Sequence, residues 1–180
     1  MRMNDRQRQS RGLYRPEFEH DSCGFGLITQ MDNHASHWLV ETAVTALARM
    51  THRGAVAADG KTGDGCGLLL KKPDSFLRAV ADEGGISLND NYAAGMVFLT
   101  RDNEASQTTA RNTLNAELQA QGLEIAGWRL VPTNPGDALG EQAMQTYPHV
   151  EQVFVNCPDG MSDEEFNVKL FVARRKPEKQ

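Results

Sequence analysis

Cysteine is scarce in this chain of 180 residues: Cys23, Cys66 and Cys157 are odd in number, widely separated and form no Cys-x-x-Cys pair. That argues against a disulfide framework, which needs paired and regularly spaced cysteines, and against a structural zinc site, which needs clustered ligands. Nor can three scattered thiols hold an iron–sulfur cluster, so no metal site is expected in this chain. Long apolar runs are missing too. None approaches the roughly 20 residues that cross a bilayer, which points away from a membrane. The opening stretch MRMNDRQRQSRGLYRPEFEH carries five arginines but no apolar segment, so it is not a secretory signal. An excess of positive charge is also absent. With 19 Lys and Arg against 24 Asp and Glu, the net charge of -5 argues against a surface built to neutralise phosphates. Free thiols, a cytoplasmic location and small-molecule chemistry without a nucleic-acid partner are the expectations that follow.

What is present is ordinary globular composition, with 39% hydrophobic residues, 24% charged residues and 16 glycines. A complete domain of this length would bury roughly 70% of its unfolded surface. The polar, Arg-rich start reads as a leader. After it, CGFGLIT reads as a strand beginning at Cys23, with Gly24 and Gly26 leaving room for close approach. Ser36 caps a predicted helix to about Met50, with Leu39, Val40, Ala43, Val44, Leu47 and Ala48 on one face and Gly54 supplying the break. Leu68, Leu69 and Leu70 read as a short buried strand, and Pro73-Asp74 opens a helix through about Asp82. A strand is expected over Tyr92–Thr100, a helix over Asn103–Gln121 with Leu114 and Leu118 inward, and strands over Ile125–Val131 and Gln152–Val155. Ser162 with Glu165 forms a capping box for a short helix, and Lys169–Arg174 reads as a last strand. This loose alternation indicates an α+β fold.

By itself, a cysteine before Gly-x-Gly is weak evidence for a nucleophile, since free cysteine is usually a small buried hydrophobe. The surrounding blocks are more specific. HDSCGFGLI, ALARMTHRGA and ADGKTGDGCGLLL resemble, in order and spacing, the opening of the glutamine amidotransferase domain of glutamate synthase large subunits. NYAAGMVFL, GWRLVPTN, EQVFVN and KLFVARR resemble its continuation. The resemblance covers about Tyr14 to Lys176.

That resemblance implies a class II amidotransferase with the four-layer αββα fold of N-terminal nucleophile hydrolases, incomplete in this chain. Residues 1–22 would be a leader removed by cleavage between Ser22 and Cys23, and 23–180 the N-terminal portion of the amidotransferase domain. Cys23 is the catalytic residue implied, with L-glutamine as substrate. Arg53 and Gly54, in His-Arg-Gly, match the segment that orders the site in related enzymes. The alternative for Arg53 is a surface arginine at a helix C-terminus, favoured by the macrodipole. His52 reads better as a helix-end histidine than as a cysteine partner. The parent enzyme implied by the resemblance uses ammonia to make glutamate from 2-oxoglutarate. It needs FMN, an iron–sulfur cluster and either NADPH or ferredoxin, none of them held by this chain. Its partners would be the remainder of the synthase polypeptide, with a small subunit as a further candidate.

Other features point to less chemistry. The loop from Asp59 to Gly67 lacks the G-x-x-x-x-G-K-[ST] order of a phosphate cradle and reads as a tight turn. Cys66 and Cys157 are expected to be packed. Members of the resembled family stabilise the oxyanion with an Asn-Gly pair, and no Asn-Gly dipeptide occurs in these 180 residues. This chain alone is therefore expected to be inactive, and a fold remnant or partner-binding module is the alternative function. A papain-like Cys-His hydrolase is disfavoured, because the residues around Cys23 lack that signature.

Overall fold

A computed structural model describes residues 24–50, 56–63 and 65–177 of the chain. The chain divides into two units, Met1–Leu68 and Leu69–Gln180.

In the first unit the main element is α1 (His37–Arg49). Ser36, in extended backbone, turns its hydroxyl oxygen to accept the Leu39 N–H at 3.3 Å, satisfying one of the donors that a helix start leaves open. Just upstream, Asp32 accepts the His34 N–H at 3.1 Å, and Asn33 takes the left-handed conformation that asparagine tolerates. The expected apolar row lies on α1, but none of its residues is buried. The expected strand after Cys23 is not formed. Residues 24–30 have no regular structure, and Phe25 is 93% exposed. A strand is held by a neighbour, and among the described residues none pairs with this segment. The expected strand over Leu68, Leu69 and Leu70 fails for the same reason, all three being exposed. Between them, Val56 and Gly63 bridge a tight turn in which Asp59 accepts the Lys61 and Thr62 N–H groups at 3.0 and 2.8 Å.

The second unit is an antiparallel sheet of three strands, β1 (Tyr92–Leu99), β2 (Glu124–Leu130) and β3 (His149–Asn156), in the order β1-β3-β2. Tyr92 lies opposite Asn156 and Leu99 opposite His149. The β2–β3 register shifts between Ile125 and Gly127, a bulge that lets Ile125 and Trp128 pack into the same cluster although three residues apart. Helices α3 (Glu104–Ala120) and α5 (Asp163–Arg175) cover one face. Leu118, Leu123, Val153, Val155, Phe166 and Ala173 form the core there. Helix α2 (Asp74–Glu83) covers part of the other face, where Leu77, Ala81, Tyr92 and Phe154 pack together. A one-turn α4 (Glu141–Gln145), not foreseen in the sequence, precedes β3.

Two helix ends follow one rule. After α3, Gly122 adopts positive φ, its N–H bonds the Gln119 carbonyl at 2.8 Å, and the Leu123 N–H bonds the Leu118 carbonyl at 3.1 Å. After α2, Gly85 and Ile86 make the same pair of bonds to Asp82 and Ala81, at 2.9 and 2.8 Å. Both are Schellman ends, which satisfy the last carbonyls and turn the next apolar residue back onto the helix.

Ser162 starts α5 as expected, accepting the Glu165 N–H at 3.2 Å. The expected strand over Lys169–Arg174 is instead the second half of α5. Phe166, Leu170 and Ala173 recur at the spacing of one helix face and all contribute to the core, which overrides the β-like appearance of KLFVA.

Candidate active site

Ser22, Cys23, His52, Arg53 and Gly54 all lie outside the described residues. The described chain resumes at Gly24 and approaches the Arg53 segment through α1, whose end is closed by the Met50 N–H on the Leu47 carbonyl at 2.9 Å. The turn at 56–63 is organised by its own aspartate. Asp59 takes the Lys61 and Thr62 amides and the Thr62 hydroxyl, the arrangement of an aspartate-closed turn.

The two described cysteines differ sharply. Cys66 is exposed, contrary to the expectation of a packed residue, because the strand expected to bury it does not form. Cys157 is buried as expected, and its thiol sits 3.7 and 3.8 Å from the Pro158 and Met161 carbonyls. Burial pushes its pKa up, and the nearby Asp163, Asp159 and Glu165 carboxylates add to the effect. A thiol held protonated in this way is a packing group and not a nucleophile. Among the described residues, no group of three or more His, Cys, Asp or Glu side chains could hold a metal ion. A groove of about 630 Å³ along the end of α2, lined by Arg78, Asp82, Ile86 and Ser87 among others, contains no cysteine or histidine.

One buried polar cluster was not anticipated. Glu151, on the central strand, has a side chain only 10% exposed; it accepts Arg111 Nε from α3 at 2.7 Å and pairs with His149 Nε2 at 2.9 Å. Arg111 also reaches Gln107, whose amide donates to the Thr100 and Arg101 carbonyls at the end of β1. Burial pushes the Glu151 carboxyl up, while the hydrogen bonds from Arg111 and His149 and their charges pull it down; the net result lies below its ordinary value. The signal in the sequence was a glutamate beside a glutamine inside the strand-like run VEQVFV, two residues from a histidine.

Against known proteins, the model of the family described as glutamine amidotransferases class-II matches residues 23–180, beginning on Cys23 itself. The chain belongs to the class-II glutamine amidotransferases. This amidotransferase chain is 42% identical over 167 residues to the glutamate synthase [NADPH] large chain of Azospirillum brasilense, covering 92% of the chain and 11% of that protein. It is 36% identical over 171 residues to the corresponding chain of Bacillus subtilis (strain 168), covering 94% of the chain and 11% of that protein. Ferredoxin-dependent glutamate synthase 2 of Synechocystis sp. (strain ATCC 27184 / PCC 6803 / Kazusa) is 37% identical over 158 residues, with 87% of the chain and 10% of that protein covered. The amidotransferase chain thus spans about a tenth of the length of the curated relatives it matches. No helix among its described residues is long and apolar enough to cross a membrane.

Proposed function

We propose that the chain is the N-terminal portion of a glutamate synthase glutaminase domain, in which Cys23 hydrolyses L-glutamine after residues 1–22 are cleaved away. The observation that carries this reading is the family match that starts on Cys23. A thiol with an ordinary pKa near 8.5 is mostly protonated at neutral pH and needs a base. Cleavage after Ser22 turns the Cys23 amide nitrogen into a free amine. With a pKa of about 7.7 to 8.0, that amine has a useful neutral fraction and takes the thiol proton directly or through one water. The thiolate adds to the side-chain amide carbon of glutamine. Collapse of the tetrahedral intermediate breaks the C–N bond, ammonia leaves with the transferred proton, and a γ-glutamyl thioester forms. Water then attacks the thioester, releasing glutamate and regenerating the thiol. To Arg53, followed in the sequence by Gly54, we assign the role of clamping the loop over the site through a bidentate guanidinium.

The four-layer αββα architecture belongs to the same proposal. Helices α3 and α5 form an outer layer on one sheet face. The opposite face is covered by α2 only near Tyr92 and Phe154, and carries Met96 and Phe98 52% and 69% exposed. Apolar side chains on the uncovered part of a sheet face suit a second stacked sheet.

In the parent enzyme the ammonia serves to make glutamate from 2-oxoglutarate in the cytoplasm, with NADPH or ferredoxin supplying electrons through FMN and an iron–sulfur cluster. The residues of this chain do not fit the cluster. Three separated cysteines, one of them buried beside carbonyls, cannot ligate it, so the cluster falls to the rest of the polypeptide, which would be the main partner, with a small subunit as another. With no Asn-Gly pair to stabilise the oxyanion, the 180 residues alone should release little ammonia.

Intact-mass measurement tests the processing step: a mature chain must begin at Cys23. A glutamine analogue bearing an electrophile tests the nucleophile. Labelling of Cys23 is expected, and labelling of the exposed Cys66 instead would refute the assignment.

A further inference from the structure

The outer side of α5 takes no part in the hydrophobic core or in the proposed chemistry. Phe166, Leu170 and Ala173 supply its core face. At about 100° per residue, Glu164, Val168, Phe171 and Arg175 fall in a stripe about 60° wide on the opposite side of the helix. All four are exposed, with Val168 at 58% and Phe171 at 57%. A helix face turned to water is ordinarily polar, so a valine and a phenylalanine one turn apart need a reason. The Arg174 guanidinium, 5.5 Å from the Phe171 ring, leaves more than half of that side chain open.

The order of the stripe supplies the reason. Laid antiparallel on a second copy of itself, Val168 meets Phe171 and Glu164 meets Arg175, each contact made twice about a single two-fold axis. The helix ends agree with that arrangement. Asp163, Glu164 and Glu165 fill the first turn and Arg174 and Arg175 the last. Antiparallel pairing sets the acidic end of one copy beside the basic end of the other and opposes the two helix dipoles.

We propose that α5 is a self-association surface, through which two copies of the chain pair antiparallel along Glu164, Val168, Phe171 and Arg175. One pair of helices, each about 20 Å long, buries less than the roughly 1,200 Å² of a stable specific interface, so the dimer is weak and concentration-dependent.

Sedimentation of the whole 180-residue chain from about 1 µM to about 1 mM, the range in which a small interface assembles, tests this. The wild-type chain should pass from monomer to dimer. Phe171→Glu should weaken the dimer roughly tenfold or more, and Glu164→Arg or Arg175→Glu alone roughly fivefold, since each sets like charges opposite one another twice. An equimolar mixture of Glu164→Arg and Arg175→Glu should dimerise again, because each like-charged copy then faces its complement. Circular dichroism of each variant should match that of the wild-type chain, since these positions are exposed. A wild-type chain monomeric throughout, a dimer indifferent to all three variants, or a mixture no tighter than its two components would each overturn the proposal. The first of those results would mean that the stripe meets a different polypeptide.

Discussion

Replacing Arg111 by methionine would leave Glu151 charged, nine-tenths buried and supported by His149 alone. Removing one member of a buried pair costs about 3 to 5 kcal/mol. Arg111 is itself 30% exposed, so water recovers part of the loss, and about 2 to 3 kcal/mol is the expected destabilisation. With a urea m-value of about 2 kcal/mol/M, the midpoint should fall by roughly 1 M. Trp128, whose indole N–H bonds Asn115 at 3.0 Å inside the same unit, reports the transition once the exposed Trp38 is replaced by phenylalanine. The pH dependence is the sharper readout. Because the folded-state pKa of Glu151 lies below its ordinary 4.5, its contribution is complete above that value and is lost as pH falls through the folded pKa. Arg111→Met removes two of the causes that lower the pKa and leaves burial opposed only by His149, so this acid-side loss should shrink. Arg111→Met with His149→Gln leaves burial unopposed, raising the folded pKa above 4.5, and the slope should invert, with stability rising as pH falls toward 4.5. Glu151→Gln should remove this contribution and leave only that of other carboxylates such as Asp74, whose hydrogen bonds with Arg78 and Tyr92 also hold it below its ordinary value. A midpoint shift under about 0.3 M, or an acid slope unchanged in both Arg111 variants, would show that the cluster is not a coupled unit.

Gly127→Val tests the close approach of β2 to Ile86, in the segment that follows α2. A Cβ at position 127 would lie 2.8 Å from Ile86 Cγ1, and the branched side chain should cost about 1 to 3 kcal/mol by urea unfolding, with Ile86→Ala recovering part of it. Thiol titration should find Cys66 reactive in the folded chain and Cys157 silent until denaturant is added, because one is exposed and the other is buried with its pKa pushed up. A Cys157 that reacts at the rate of Cys66 would contradict the packing.

Local signals were legible wherever one short-range interaction decides the outcome. Ser36 and Ser162 each cap the helix that follows through a side-chain oxygen, and the 3.6-residue recurrence of Leu114 and Leu118 gave the buried side of α3. Strands were legible where a partner exists. Tyr92–Leu99 and Glu124–Leu130 pair with β3, whereas CGFGLIT and Leu68–Leu70 have equally apolar sequences and no described neighbour. The misreading of KLFVA has the same origin, since a five-residue apolar run has no period of its own and the core under Phe166, Leu170 and Ala173 chose the helix. The Glu151 cluster joins α3 to β3 across 40 residues, a separation over which sequence pattern carries no register. The family was legible from the glycine-rich blocks around Cys23, as the family match over residues 23–180 bears out.

The strand order β1-β3-β2 also constrains how the chain can be built. Among the described residues β1 and β2 do not pair with each other; each pairs with β3, which follows both in the chain. A nascent chain that has emerged as far as Leu130 therefore owns two strands and no sheet, with Tyr92, Ile125 and Trp128 waiting for side chains not yet synthesised. Assembly of this three-stranded sheet waits for residues 149–156, and until they arrive the apolar faces of β1 and β2 stay open to wrong partners.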